Sequence, residues 1–314
     1  MALRVVYVGT GEIGVPSYEA LAGSPHELAA VVTQPDRPAG RGLELQPSPV
    51  KRAALRHHHT IFQPERISSE AALEQLRYLN PDVLVVCAYG QLLKPAVLEL
   101  PRLACLNLHA SLLPRHRGAS CIQAAIRAGD AETGMTLMWM DRGLDTGDIL
   151  LARTLAIRAD ETAGELHDRL ALLAPELLLE GLALLEAGRA PRRPQDASLA
   201  TYAPKLSRED GRIDWLWTSA AIGRHVRAMA PWPCASTAVT VDGLPRMLKV
   251  FRAAPGVETG GRPGEVLRLG PEGVLVRAGE GSIWLRELQV QGRARMAAEA
   301  CARGLRLEPG AILG

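Results

Sequence analysis

Short runs of mostly apolar residues alternate with helix-forming stretches over the first 150 residues of the chain. The runs are Val5–Val8, Leu28–Thr33, Val83–Ala88, Ala104–Leu108 and Met135–Met140. Strands that alternate with helices predict βαβ units, and nearly continuous apolar strands are typical of a sheet covered on both faces. The predicted fold class is therefore α/β, with a Rossmann-like, mostly parallel sheet.

The pattern changes after a proline-rich segment. Residues 160–188 have helical spacing, and residues 190–205 contain three prolines and little apolar content, which is typical of a linker. Beyond them, short alternating strands such as Ser236–Val241 and Met247–Phe251 are separated by turn residues, and Asp242-Gly243 predicts a hairpin. We expect an α/β domain over residues 1–189, a linker over 190–205, and a small antiparallel barrel or sandwich over 206–314.

The composition excludes several classes of protein. Apolar residues make up 47% of the 314 residues, yet no apolar run approaches the roughly 20 residues of a membrane-spanning helix. The first residues run from a strand into a glycine-rich turn and lack the features of a secretion signal. The five cysteines, which include no C-x-x-C pair, favour a reducing compartment over a disulfide framework. A cytoplasmic protein is therefore expected.

The net charge of +2 conceals an uneven distribution of charged residues. Residues 206–314 carry 15 lysines and arginines against 11 aspartates and glutamates, whereas residues 1–205 carry 21 against 23. Two domains with different partners would produce this division, and so would chance, because the difference is small.

A glycine motif follows the first predicted strand. Gly9, Gly11 and Gly14 have the spacing of a dinucleotide-binding turn, and Asp36 follows the second strand, where a ribose-binding carboxylate is expected. A nicotinamide-dependent oxidoreductase is therefore one candidate. Two prolines beside Asp36 indicate a rigid turn instead, and glycine suits any tight turn between a strand and a helix. The motif supports the fold more strongly than the cofactor.

Polar residues occur where a later strand leaves the core. Asn107 and His109 are two residues apart, which places both side chains on one face of a strand, and Pro114 ends the segment. Ligands of open α/β sheets bind at this end of the strands. The loop 140–148 holds three aspartates and two glycines, so it is able to bring a carboxylate close to His109. Such a carboxylate raises the pKa of an imidazole, and a nearby amide donates to a developing oxyanion.

These groups suit acyl transfer to a nucleophile that the substrate supplies, without a serine or cysteine acting as a covalent nucleophile. A histidine after a strand also serves as a structural hydrogen-bonding residue. An aspartate-rich loop also caps helices or solvates a turn. The residues alone leave the chemical and the structural interpretations open.

Three segments in this region resemble the signature of the folate-dependent formyltransferase family. They are residues 107–118 (NLHASLLPRHRG), 129–134 (GDAETG) and 140–147 (MDRGLDTG). Residues 33–42 (TQPDRPAGRG) and the segment from Tyr202 to Trp215 are similar to further parts of the family members that formylate initiator tRNA. The first turn departs from the family pattern, because Gly11 stands where the family usually has proline and Ile13 where it has phenylalanine.

The resemblance implies a Rossmann-type catalytic domain over residues 1–189 and an OB-like, tRNA-binding β-barrel domain over 206–314. It implies transfer of a formyl group from 10-formyltetrahydrofolate to the methionyl amine of initiator tRNA, in translation initiation. The implied catalytic residues are Asn107, His109 and Asp145. The implied folate site is formed by Ala88, Tyr89, Gly90, Ser111, Leu112, Leu113 and Pro114. Arg41 falls in the loop that the family uses on the tRNA acceptor arm.

Because a folate carries its own one-carbon unit, we expect no metal ion. The lack of a long apolar run predicts no membrane partner, and the two-domain plan suits a monomer. A formyltransferase that acts on the amine of a sugar nucleotide would share the three catalytic residues, so it is the nearer alternative. The nicotinamide-dependent oxidoreductase is the more distant one.

Overall fold

The computed structural model describes residues 2–39, 42, 44–241 and 243–314. The chain forms two compact units, each assembled from more than one stretch of sequence. The first unit consists of residues 1–121, 132–156 and 167–203, and the second of residues 122–131, 157–166 and 204–314. None of the described helices is long and apolar enough to cross a membrane.

The strands are β1 (Arg4–Gly9), β2 (Glu27–Val32), β3 (Arg37–Ala39), β4 (Glu44–Gln46), β5 (Ile61–Phe62), β6 (Val83–Cys87), β7 (Ala104–His109), β8 (Glu132–Trp139), β9 (Ile149–Ala156), β10 (Ala235–Val241), β11 (Leu244–Gly256), β12 (Val266–Gly270), β13 (Gly273–Arg277), β14 (Ser282–Val290) and β15 (Met296–Ala297). The helices are α1 (Val15–Ala22), α2 (Pro49–Arg56), α3 (Glu70–Leu79), α4 (Pro95–Leu98), α5 (Cys121–Ala128), α6 (Ala163–Ala171), α7 (Ala174–Glu186), α8 (Ser219–Met229) and α9 (Ala298–Leu305).

The first unit is built on a seven-stranded sheet with the strand order β5-β2-β1-β6-β7-β8-β9. The strands from β5 to β7 are parallel, and β8 and β9 continue the sheet in antiparallel fashion. The chain passes from β1 to β2 on one side and later to β6 on the other, so the strand order reverses at β1. Such a reversal opens a crevice at the carboxyl ends of the strands, where ligands bind. The predicted α/β class is confirmed.

The strands β1 and β6 are buried on both faces, as their apolar runs predict. On one face, Val6 and Val8 pack in a core with Leu73, Leu76 and Leu84, which α3 and β6 supply. On the other face, the ring of Tyr7 contacts the ring of Tyr18 from α1, with centroids 5.7 Å apart. The sheet therefore forms the rigid centre that fixes the ends of β6 and β7.

Close packing accounts for the glycines of the first turn. The hydroxyl of Tyr7 donates to the carbonyl of Gly14 (2.7 Å), and a Cβ at Gly14 would lie 2.8 Å from that hydroxyl. The N–H of Gly11 donates to the carbonyl of Ala88 (3.2 Å). Glycine is thus required at position 14 by the approach of a buried tyrosine, and a Cβ at Gly11 would lie 3.2 Å from the Cβ of Ala88, just after β6. Asp36 is also engaged, because Lys51 and Gln63 each donate to its carboxylate at 2.7 Å.

The second unit carries an antiparallel sheet with the order β10-β11-β14-β13-β12, and β15 pairs with β14. Residues near the end of the chain pair with both sides of this sheet, because Ile312 bridges Glu265 before β12 and Leu313 bridges Val239 of β10. These pairings connect the two edges in the manner of a barrel, and α8 and α9 complete the unit. The indole of Trp215 is buried inside it and donates to Thr237 Oγ1 at 3.0 Å.

Candidate active site

Strand β7 delivers two of the predicted side chains to the crevice. Asn107 and His109 lie on one face of its C-terminal end, as the two-residue spacing predicts. His109 is 7% exposed, and its Nε2 lies 3.0 Å from the carbonyl oxygen of His116. Because this carbonyl accepts a hydrogen bond from Nε2–H, the ring is fixed and Nδ1 is the nitrogen that faces Asp145.

The loop that follows β8 brings Asp145 to both of these residues. Its Oδ2 lies 3.6 Å from His109 Nδ1, which is an ion-pair distance, and its Oδ1 accepts from Asn107 Nδ2 at 3.4 Å. Asp145 has a φ of +54°, a left-handed conformation that aspartate tolerates better than most residues. The structure therefore gathers the three predicted catalytic side chains around one carboxylate.

The backbone of Gly118 also holds that carboxylate, at the oxygen that faces His109. Its N–H donates to Asp145 Oδ2 at 2.8 Å. The backbone of Gly118 has a φ of +109°, and a Cβ there would lie 2.6 Å from the carbonyl oxygen of Ala203. Glycine is therefore required here by conformation and by space.

The electrostatic surroundings of His109 favour the imidazolium. Burial is the largest influence and lowers its pKa, but the attraction of Cys121 and Asp145 and hydrogen bonds with Cys121 and the His116 carbonyl outweigh burial. The net result is a pKa of about 9. His109 is consequently protonated at neutral pH and presents a charged donor at Nδ1.

The residues that follow β7 form a tightly bonded turn. Ser111 is fully buried; its Oγ donates to the carbonyl of Arg115 (2.7 Å), and its own carbonyl accepts from Thr136 Oγ1 (2.6 Å). Leu113 is buried and precedes the cis peptide to Pro114, while Leu112 and Pro114 are half-buried. This turn places its apolar side chains next to the Asn107–His109 end of the strand.

The segment after β6 reaches the same edge of the sheet. Ala88 and Gly90 are exposed and have φ values of +47° and +86°, and Tyr89 between them is buried. The carbonyl of Tyr89 accepts from Thr10 Oγ1 (3.0 Å) and Gln34 Nε2 (3.2 Å). These hydrogen bonds fix the backbone of residues 88–90 beside the crevice, with Ala88 and Gly90 exposed.

Arg41, the predicted tRNA contact, lies outside the residues that the structure describes. The structure also adds residues that sequence reasoning missed: Gln195 and Arg117 bond to the backbone and to one another around the Asp145 loop. Gln195 falls in the segment predicted as a linker, where composition carries no signal of a role. Within the described chain, no three His, Cys, Asp or Glu side chains are grouped to hold a metal ion.

The arrangement suits one kind of chemistry. A charged imidazole and an amide converge at the end of a strand, and a carboxylate holds both. Such donors stabilise the oxyanion that develops when an amine attacks an acyl carbon. Fold and site together define an acyl-group transferase built on a Rossmann-like sheet.

The comparisons with known proteins identify the family. A family model described as formyl transferase matches residues 3–182, and one described as the formyl transferase C-terminal domain matches residues 205–306. The chain therefore belongs to the formyl transferase family. It is 50% identical over 314 residues to the methionyl-tRNA formyltransferase of Methylacidiphilum infernorum, covering 99% of this chain and 98% of that one.

Solved structures share the fold at low sequence identity. An N-formyltransferase from Helicobacter canadensis, solved with folinic acid and dTDP-3-aminofucose, aligns with a TM-score of 0.67 at 18% identity, covering 90% of this chain and 98% of that one. HypX from Aquifex aeolicus, solved with tetrahydrofolic acid, aligns with a TM-score of 0.63 at 19% identity over 98% of this chain. The chain spans about half of HypX, 48% of its length.

Proposed function

We propose that this chain transfers the formyl group of 10-formyltetrahydrofolate to the α-amino group of methionyl initiator tRNA, in the cytoplasm and during translation initiation. The convergence of Asn107 and His109 on Asp145 carries the chemistry of this proposal. The 50% identity to a methionyl-tRNA formyltransferase over nearly the full length of both chains selects the acceptor.

The folate supplies the formyl group, already activated on its N10 nitrogen. Transfer forms a bond between the methionyl nitrogen and the formyl carbon and breaks the bond from that carbon to N10. One proton leaves the amine, and one proton arrives at N10. The protein has to stabilise the negative charge that develops on the formyl oxygen and guide the proton.

Asn107 and His109 are the proposed donors to that oxygen. Their contacts with Asp145, at 3.4 Å and 3.6 Å, are longer than the usual range of about 2.7–3.2 Å. Each donor therefore has a stronger hydrogen bond to gain when charge develops on the substrate. Loss of one such donor typically lowers the rate about 100-fold or more.

Asp145 has two proposed tasks. It keeps His109 charged and in one orientation, because its carboxylate faces Nδ1 while the His116 carbonyl holds Nε2. It also accepts the proton of the attacking amine through a water molecule and passes it toward N10, as a general base.

The proposed folate site lies on the two segments that flank the strand ends. Residues 88–90 offer backbone groups, and Leu112 and Pro114 offer apolar surface on either side of the buried Leu113. Ser111 is engaged within its own turn, so its proposed contribution is the shape of the turn.

The proposed tRNA contacts are Arg41 and the basic residues of 206–314. That segment carries 15 lysines and arginines against 11 acidic residues, and contacts with phosphate groups supply most of the sequence-independent affinity of such proteins. We propose that the enzyme works as a monomer without a metal ion.

The test is a transfer assay with 10-formyltetrahydrofolate and charged initiator tRNA, repeated over a salt titration. We expect formyl-methionyl-tRNA to form and the KM for tRNA to rise steeply with salt. A matched reaction with dTDP-3-aminofucose as acceptor tests the alternative. Efficient formylation of the sugar nucleotide, with no reaction of the charged tRNA, would overturn the proposal.

A further inference from the structure

Gln195 lies in the proline-rich segment after α7, and its side-chain amide bonds to the Asp145 loop and to Arg117. Its Nε2 donates to the carbonyl of Asp145 at 2.9 Å and to the carbonyl of Gly147 at 2.7 Å. Its Oε1 accepts from Nε and Nη2 of Arg117, at 3.1 Å and 2.8 Å. One half-buried amide thus connects the backbone of the Asp145 loop to a buried guanidinium.

We propose that Gln195 is a positioning residue for formyl transfer, which holds the Asp145 loop so that the carboxylate of Asp145 faces His109. This role rests on the proposed function, because it assigns Gln195 to a reaction in which Asp145 takes part.

Asp145 is held at two points by the adjacent residues Arg117 and Gly118. Arg117 reaches its backbone through Gln195, and Gly118 donates directly to its carboxylate. The segment that carries both is itself anchored, because the N–H of Arg117 donates to Thr201 (2.8 Å) and its carbonyl accepts from Ala203 (2.7 Å). The carboxylate of Asp145 and its main chain are therefore both held by the anchored segment Arg117-Gly118.

Position 195 requires a side chain that both donates and accepts hydrogen bonds. The two loop carbonyls need a donor, and the guanidinium needs an acceptor. A neutral amide offers two donors and one carbonyl acceptor on the same group. Glutamate would still accept from Arg117 but would place an acceptor against the two carbonyls, and lysine would face Arg117 with a like charge.

The two groups that Gln195 connects both need fixed surroundings. Arg117 is 4% exposed, so its guanidinium depends on partners inside the protein. Asp145 has a left-handed backbone, which is retained only where the surroundings define it. The amide of Gln195 holds two carbonyls of this loop, so the placement of the Asp145 carboxylate depends on Gln195 as well as on the N–H of Gly118.

The test is the isosteric variant Gln195→Glu, with Asp196→Asn as the matched control. Asp196 is the exposed neighbour, and its carboxylate accepts only from Ser198 among the contacts described. For Gln195→Glu we expect kcat to fall about 100-fold, the cost of a catalytic group misplaced by about 1 Å, with KM for the folate and tRNA within about twofold of wild type. The control should retain wild-type kcat.

A merely structural role would not change the titration of His109. The titratable groups that act on its imidazole are Cys121 and Asp145. If Gln195 holds Asp145 in place, Gln195→Glu lowers the pKa of His109 below about 9, measured by NMR of the imidazole protons. The double variant with Asp145→Asn should be no slower than Asp145→Asn alone, because both changes remove the same interaction.

Wild-type kcat in Gln195→Glu would overturn the inference. So would a slow variant whose His109 titrates as in wild type, or multiplicative losses in the double variant. If Gln195→Glu does not fold, Gln195→Ala replaces it in the same cycle. Absence of formyl transfer by the wild-type chain would refute the proposed function, and the imidazole titration would still decide whether Gln195 positions Asp145.

Discussion

Replacing Asp145 by asparagine should produce a loss of activity that grows with pH. Asparagine keeps nearly the same shape, keeps an acceptor for the N–H of Gly118, and tolerates the left-handed backbone. It removes the negative charge 3.6 Å from His109 Nδ1, and it replaces with an NH2 group the oxygen that accepts from Asn107. An opposite charge at such a distance shifts a pKa by about 1–3 units.

The magnitude follows from the pKa of His109, which is about 9. At pH 8 an imidazole with that pKa is about 90% protonated, and one whose pKa has fallen to about 7 is about 10% protonated. At pH 6 both are mostly protonated. The ratio of wild-type to variant kcat/KM should therefore increase about tenfold between pH 6 and pH 8, in addition to a loss at every pH of about 100-fold.

The assay measures initial rates of formyl-methionyl-tRNA formation between pH 6 and pH 8.5, at short times because the aminoacyl ester hydrolyses in alkali. The amine of the tRNA must lose a proton to react, and this rising limb is common to both enzymes, so it cancels in the ratio. Asp148→Asn is the matched control, since this carboxylate lies in the same loop and pairs loosely with Arg192 (3.9 Å). A ratio for Asp145→Asn that stays constant with pH would refute the argued role of the carboxylate.

Three further substitutions test the structure around the site and in the second unit. Gly118→Ala should lower the free energy of unfolding by about 1–3 kcal/mol in urea titrations, because of its φ of +109° and the approach of Ala203; unchanged stability would contradict the backbone argument. Tyr7→Phe should cost about 1 kcal/mol while leaving kcat/KM unchanged, since its hydroxyl bonds to Gly14, to Ser17 of α1 and to Cys87 of β6 and to none of the three candidate catalytic residues among the contacts described; a drop in kcat/KM would indicate a role at the site. Thr237→Val should cost about 1–3 kcal/mol by leaving the indole N–H of Trp215 without its partner, measured by thermal unfolding, and a stabilised variant would show that the bond contributes nothing.

The central strands of the first sheet are predictable because the sheet buries both of their faces. Residues 83–87 are apolar without interruption, and all are buried in β6. The strand β9 is different, because its second half alternates between exposed and half-buried residues at the edge of the sheet. The short strands β3 and β4 carry no buried run, since β4 is exposed throughout, and the apolar pattern predicts no strand there. Hydrophobic patterns do not identify strands that hold their place mainly by backbone pairing.

The candidate site divides in the same way. Asn107 and His109 are predictable because the period of a strand and the end of a sheet determine where they point. The contribution of Gln195 is not predictable by this reasoning. Two of its partners are backbone carbonyls, which every residue type has, so the sequence does not identify them. Proline content correctly indicates irregular backbone there, and it says nothing about what that backbone touches.

The interleaved composition of the two units limits how this protein can be divided by recombination. Twenty residues of the second unit, 122–131 and 157–166, are encoded inside the stretch that builds the first. A single crossover in the proline-rich segment would exchange residues 204–314 and leave those two pieces behind from the other parent. A chimaera of two homologous enzymes should therefore express well only when both inner pieces come from the same parent as the C-terminal stretch. No single crossover in the gene therefore exchanges one complete unit of this protein for that of a homologue.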